Sequence, residues 1–456
     1  MTLPAALEVV PLAAPVAARI TVPGSKSETN RALILAALAE GSVALDGALW
    51  SDDTEVMVAC LRTLGVEVEV LPDEYEPSNR TFIVDGCGGD LTPGGTVARP
   101  TELYVGNAGT AARFLTALVC LGEGTYKLSG TPRMHERPQG ALFDALRQLG
   151  YRVDGSGPGH DRLPVVVHGA GPLSGACEVS IAESSQFASA LLLCAGVGGW
   201  EVTVTGANAD ESPYVVMTEQ VIDVFPQSYP DDLEDAEYQI EGDASSASYF
   251  LGADFLFRAN GGILATPGPD LRASRVEVSN RPTSGWQFDQ RFAAFCASAL
   301  DGTLADEISR TTDLGDSILT AIVLAPLLSK PVRFVGLDRL RVQECDRVAA
   351  LHEGLTRCGA DIEMIGDDLL VRPSAPGTLH GARIRTFDDH RIAMCFAMLG
   401  LVVPGIVIED PACVSKTFPN FFQKLAAPAP DGLGVTLRDA DAGEGARPLA
   451  LDALEA

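Results

Sequence analysis

The chain repeats itself six times, and that repetition limits its fold more than any other feature of the sequence. A short, very apolar segment follows a polar cluster and ends at Gly or Pro. It recurs as SETNRALILAALAEG (27–41), TAARFLTALVCLGEG (110–124), SQFASALLLCAGVGG (185–199), ASYFLGADFLFRANGG (247–262), DSILTAIVLAPLLSKP (316–331) and HRIAMCFAMLGLVVPG (390–405). Segments apolar on nearly every face are expected to be buried helices. After each comes a β run, a Gly or Pro turn and an amphipathic helix, as in VALDGALWSDDTEVMVACLRTLGVEVEV; the fourth copy is the least regular. Several of these helices end at Gly, at Gly65, Gly150 and Gly359, and lead into a short alternating strand. The pattern predicts an α/β protein with sheets packed around buried helices.

A chain of 456 residues is long for one core. Three repeats per domain divides it near Gly242–Ala244, into a discontinuous domain of 1–24 plus 244–426 and a second of 25–243. The stretch 427–456, rich in Asp, Glu, Ala, Gly and Pro without a clear period, reads as a flexible acidic tail.

The net charge of -28 argues against nucleic acid or an anionic membrane as partner, though not against a locally basic pocket. No apolar run reaches the roughly 18 residues of a membrane span. The start carries Glu8 and no basic n-region, so no secretory signal is expected. Ten scattered cysteines without a CxxC pair read as reduced thiols, which places the chain in the cytoplasm. Nothing demands more than a monomer.

The polar clusters sit at or just before the starts of the apolar helices. Lys26, Ser27 and Arg31 open the first, Asn107, Gly109, Thr110 and Arg113 the second, and Ser184, Ser185 and Gln186 the third. Asp316 opens the fifth, and Asp388 to Arg391, with His390, the sixth. The amphipathic helices add Arg133, Arg137, Tyr214, Glu344, Arg347 and Lys416. A helix start offers unpaired N–H donors and partial positive charge, so it binds anions. Gly109 lets the backbone approach a ligand closely. If these starts face one interdomain cleft, the site holds more positive charge than one phosphate needs, which fits two small polyanionic substrates. Simpler readings stay open: Ser25 or Ser27 as a plain N-cap, Arg113 as a surface or interdomain ion pair, His390 as a structural histidine. The Asp-Asp-His-Arg run lacks a second cluster at ligand spacing, so no metal is expected. Walker A and GxGxxG spacings are absent, so no nucleotide cofactor is expected either.

Read in order, PGSKSETNRALILAALAEG, GNAGTAARFLTALV, RMHERP, SSQFASALLL, EGDASSASYFL, RVQECDR, DDHRIAMCFA and SKTFP resemble the 5-enolpyruvylshikimate-3-phosphate synthase family over about residues 15–425. The resemblance implies the two-domain enolpyruvyl-transferase fold, an inside-out α/β barrel of six βαβαββ-type repeats. It implies transfer of the enolpyruvyl group of phosphoenolpyruvate to the 5-hydroxyl of shikimate 3-phosphate with release of phosphate, without cofactor or metal. Carried over by position, Asp316 is the proton acceptor, Glu344 the proton donor, and Lys26 contacts both substrates. Shikimate 3-phosphate is assigned Lys26, Ser27, Arg31, Ser184, Ser185, Gln186, Tyr214, Asp316, Arg339 and Gln343. Phosphoenolpyruvate is assigned Lys26, Asn107, Gly109, Arg133, Gln186, Arg347, His390, Arg391 and Lys416.

Four positions depart from the family pattern. Gln343 stands where lysine is usual, and Arg339, four residues earlier, where asparagine is common. Glu211 occupies a position often held by a phosphate-binding serine, with Ser212 beside it, and Phe114 replaces a frequent proline and reads as packing. These departures keep two further readings open: an enolpyruvyl transferase for another acceptor, such as a UDP-sugar, and a substrate-binding paralogue without turnover.

Overall fold

A computed structural model describes residues 3–206, 213–226, 236–259, 270–375, 377–443, 448, 449 and 451. The chain divides into two compact units, one of Met1–Pro23 with Gly242–Glu455 and one beginning at Gly24 and ending at Glu241.

The buried helices form because their sequences leave no polar face to turn outward. All ten residues of Gly109–Leu118 are buried, all seven of Ile318–Leu324, and every residue of His390–Gly400 except Arg391. Lys26–Leu38, Gln186–Gly198 and Ala244–Ala259 complete the set. Ser25 starts the first: its hydroxyl accepts from the Glu28 N–H, so the N-cap reading holds for Ser25. Each fully buried Leu, Ile or Phe on these helices contributes about 1.5–3 kcal/mol relative to exposure.

The repetition is clearest in the sheets. In the unit Gly24–Glu241, Ala236–Gln239 pairs parallel with Glu40–Leu49, which pairs antiparallel with Asn79–Cys87, which pairs antiparallel with Glu67–Pro72. The same parallel, antiparallel, antiparallel order recurs in Thr101–Tyr104, Glu123–Ser129, Arg162–Ala170 and Arg152–Ser156. Among the described residues a third set, Gly175–Ser180 with Trp200–Thr205, comprises the parallel pair. Parallel neighbours need a crossover, and an apolar helix supplies it between Thr101–Tyr104 and Glu123–Ser129 and between Gly175–Ser180 and Trp200–Thr205. Gly86 and Gly169 occupy matching places in the two larger sheets. A Cβ would lie 2.3 Å from the Ala39 carbonyl oxygen at the first and 2.3 Å from that of Gly122 at the second. Only glycine lets the sheet approach a helix end this closely.

The other unit repeats the scheme. Glu307–Ser309, Val332–Val335, Asp368–Arg372 and Asp361–Ile365 form one sheet in that order, and Ala17–Ile20 with Arg275–Val278 the short parallel pair. In the last sheet Arg383–Ile384 pairs parallel with Ile406–Glu409, and the antiparallel places are taken by the chain's two ends, Ala6–Val10 and Thr436–Asp439. This corrects the expectation of a flexible tail from 427. The sixth repeat lacks its own last strands, and the C-terminal segment provides one, with Leu437 1% exposed in the core. The fifth apolar segment also differs from one regular helix: Asp316 lies on a tight turn, Gly315–Ser317, and the helix proper begins at Ile318.

Candidate active site

Each unit carries its own set of candidate side chains. In the unit Gly24–Glu241 they gather where three buried helices begin. The Lys26 ammonium lies 3.1 Å from Asp53, at the start of the helix Asp52–Thr63. Arg31 is 2% exposed and donates to the Ser27 carbonyl (2.8 Å), to the hydroxyls of Thr218 (2.8 Å) and Ser189 (3.1 Å), and to the Tyr214 carbonyl (3.1 Å). Its guanidinium lies over the Phe114 ring, 5.6 Å from the centroid, so this departure from proline packs directly against a candidate ligand residue. Burial lowers the Arg31 pKa to about 10, and the guanidinium stays charged at neutral pH.

Gln186 donates to the Thr110 hydroxyl at 3.1 Å, joining the second and third helix starts, and its own N–H is held by Ser184 at 3.2 Å. Ser185 is buried at the same turn. Arg113 does not lie on the surface. It is 2% exposed, donates to the Gly109 and Pro138 carbonyls (both 3.0 Å) and lies over the Phe187 ring. The space a Cβ would need at Gly109 is filled by Arg113 and Arg137, each with a guanidinium nitrogen 2.5 Å away. The absence of a side chain at Gly109 thus lets two arginines approach the backbone closely. Arg137 also donates to the Asn107 carbonyl at 3.2 Å, while Arg133 is half-buried and paired with Glu136 at 2.8 Å.

In the second unit the candidates form one chain of alternating charge. Arg310 contacts Asp316 at 2.7 Å, and Arg391 contacts its other oxygen at 3.3 Å. The Arg391 backbone N–H donates to Asp389 at 2.9 Å, which caps the helix His390–Gly400. Asp389, with no exposed surface, takes Arg347 at 2.7 Å. Arg347 pairs with Glu344 at 2.9 Å and donates to the Gln343 amide oxygen; Glu344 reaches Lys416 at 3.6 Å. His390 is buried beside Asp389. Burial first, and the like charge of nearby Arg310 second, lower the Arg339 pKa. Burial alone would raise the Asp316 pKa. The charges of Arg391, Arg310 and Arg347 outweigh it and hold the carboxyl below its ordinary range.

Every assigned residue of this unit therefore lies in or beside one network. Sequence reasoning missed Arg310 and Asp53 and passed over the ion pair made by Asp389; an Asp preceding His-Arg at a helix start was the available signal for the last. Glu211 and Ser212 lie outside the described residues. Among the described residues no three His, Cys, Asp or Glu side chains come together as a metal ion would require, and no helix is long and apolar enough to cross a membrane.

Paired units of repeated helix-and-sheet modules, with cations gathered at helix starts, define the enolpyruvyl-transferase fold. The structure matches that of EPSP synthase from Acinetobacter baumannii with a TM-score of 0.67 at 22% identity, over 95% of this chain and 99% of that one. It also matches an enolpyruvyl transferase from Streptomyces tendae with a TM-score of 0.61 at 15% identity, over 95% and 98%. In sequence the chain is 38% identical to the 3-phosphoshikimate 1-carboxyvinyltransferase of Pseudomonas syringae pv. tomato, over 95% of this chain and 99% of that protein. The protein of the same name from Rhizobium leguminosarum bv. trifolii is 37% identical, over 97% and 100%. The family model described as EPSP synthase (3-phosphoshikimate 1-carboxyvinyltransferase) matches residues 12–260 and 289–425. The chain belongs to the EPSP synthase family.

Proposed function

We propose that the chain transfers the enolpyruvyl group of phosphoenolpyruvate to the 5-hydroxyl of shikimate 3-phosphate and releases phosphate. The carrying observation is the network Arg310, Asp316, Arg391, Asp389, Arg347, Glu344, Lys416, which sets both proposed proton carriers among four cations. Phosphoenolpyruvate brings a carboxylate and a phosphate, and Arg347, Arg391 and Lys416, with Arg133, Asn107 and Gly109, supply the opposing charge and donors. Shikimate 3-phosphate is held by Lys26, Ser27, Arg31, Ser184, Ser185, Gln186 and Tyr214, with Arg339 making up for the lysine absent at Gln343.

As the 5-hydroxyl oxygen attacks C2 of phosphoenolpyruvate, Asp316 takes its proton and Glu344 delivers one to the methylene carbon. The tetrahedral adduct then loses phosphate, and a methyl proton returns to the Glu344 carboxylate to restore the double bond. Each positioned proton carrier is worth about 10²–10⁴ in rate, and stabilisation of the adduct's added charge by fixed cations contributes further. No step calls for a metal or an organic cofactor.

The test is phosphate release with both substrates, and with each alone. Release only with both supports the reading. Release with phosphoenolpyruvate and another acceptor, but not with shikimate 3-phosphate, replaces it with the second acceptor. Binding of shikimate 3-phosphate by calorimetry without turnover replaces it with a binding paralogue. We propose, on the same footing, a monomer in the cytoplasm; sedimentation reads the first and fractionation the second.

A further inference from the structure

Behind the turn that carries Asp316 sits a second acid in a segment the family motifs do not include. Asp289, on the turn Phe288–Arg291, is 4% exposed. One of its carboxyl oxygens accepts the Ser317 N–H at 2.5 Å. The other lies 3.0 Å from where a Cβ on Gly315 would stand, and Gly315 has φ +59°, a conformation suited to glycine. The carboxyl group therefore holds the backbone just after Asp316 by a hydrogen bond and packs closely against Gly315 just before it. Its own footing is firm: Gln287 accepts the Ala244 N–H at 2.8 Å and donates to the Gly242 carbonyl at 2.9 Å.

An asparagine would accept the same Ser317 hydrogen bond without burying a charge, and burying a carboxylate is costly. The presence of an acid here is what a backbone staple leaves unexplained. The groups facing Asp289 are Asp316, Arg391 on the helix His390–Gly400, and Asp243 ahead of the helix Ala244–Ala259, with Arg310 on the far side of Asp316.

We propose that Asp289 is a positioning residue for Asp316: it fixes the direction of the Asp316 carboxylate, and its own negative charge strengthens Asp316 as a base. The inference rests on the reading of Asp316 as proton acceptor. Burial first, and the charge of Asp316 second, raise the pKa of Asp289 above the ordinary carboxylate range. The two acids thus titrate as a pair, with Asp289 gaining its charge last as pH rises.

The experiment compares wild type, Asp289→Asn and Asp289→Glu at saturating levels of both substrates across pH 5.5–9, with melting curves alongside. In the wild type, kcat is expected to rise through a step as Asp289 loses its proton. Asp289→Asn should keep both KM values within about twofold, lose that step, and fall about 5–10-fold in kcat on the alkaline side. Asp289→Glu should keep the step but lose rate, because its longer chain displaces the Gly315–Ser317 backbone. A wild-type pH profile in Asp289→Asn, or wild-type kcat in Asp289→Glu, overturns the proposal. If Asp289→Asn does not fold, the glutamate variant decides alone. Retained turnover in Asp316→Ala would instead remove the reading beneath it, leaving the Asp289 comparison as a distinct result.

Discussion

Arg31 and Arg113 of one unit meet different acceptors from those of the network arginines in the other. In Gly24–Glu241, Arg31 is surrounded by hydroxyls and carbonyls, Arg113 by carbonyls and an aromatic face. These neutral dipoles accept N–H groups without themselves cancelling charge, and Arg31 stays cationic at neutral pH. In the other unit each arginine of the network meets a carboxylate: Arg310 and Arg391 meet Asp316, Arg347 meets Asp389 and Glu344. Alternating charges there leave carboxylates poised beside cations. The first arrangement suits holding an anion, the second suits moving a proton near one. The lesson is that counting arginines does not say what they do; their acceptors do.

The largest effect that would break this contrast is expected at Asp316. Asp316→Ala should lower kcat by about 10³, within the range for a general base, while the KM for phosphoenolpyruvate stays within a few-fold. A loss confined to KM would make Asp316 a binding group like those of the other unit.

Removing one arginine from each unit tests the contrast through stability. Arg347→Met strands Asp389 as a buried, half-partnered anion and should cost about 3–5 kcal/mol. Arg31→Met leaves behind Thr218 and Ser189, which hydrogen-bond each other at 2.7 Å, and should cost about 1–2 kcal/mol. Urea denaturation of both variants reads the difference. Equal losses would erase the distinction between dipole-held and carboxylate-held arginines.

A smaller effect sharpens the picture of the first unit, which does contain one unusual acid. Glu28 is 1% exposed, takes the Tyr238 hydroxyl at 3.0 Å and the Glu241 N–H at 3.3 Å, and burial raises its pKa to about 8. An acid with a raised folded-state pKa contributes stability that is complete below its ordinary range and is lost as pH rises toward 8. Glu28→Gln should therefore gain on the wild type by on the order of 4 kcal/mol between pH 5 and pH 9. Parallel stability curves would show that Glu28 does not titrate in this window.

How much of this was visible in the residues depends on distance along the chain. The buried helices were legible because an all-apolar stretch has one stable place to go, and Ser25 because a cap acts within three residues. The strand Thr436–Asp439 was not, since four residues amid acidic and small ones carry no pattern until Ala6–Val10 lies beside them. Nor was Arg310. A lone arginine in RTTDLGD looks like solvent-facing charge, and its meaning comes from the turn that folds it back on Asp316.

The sequence by itself determined the six-fold scheme, the burial of the helices and the gathering of cations at their starts, because periodicity and helix polarity are local properties. Tertiary structure alone decided which acceptor each arginine meets, that the chain's two ends complete the last sheet, and that a second acid stands behind Asp316. Many of those facts join residues tens to hundreds of positions apart, and even the nearer pairs, such as Arg310 with Asp316, meet only because a turn folds the chain back.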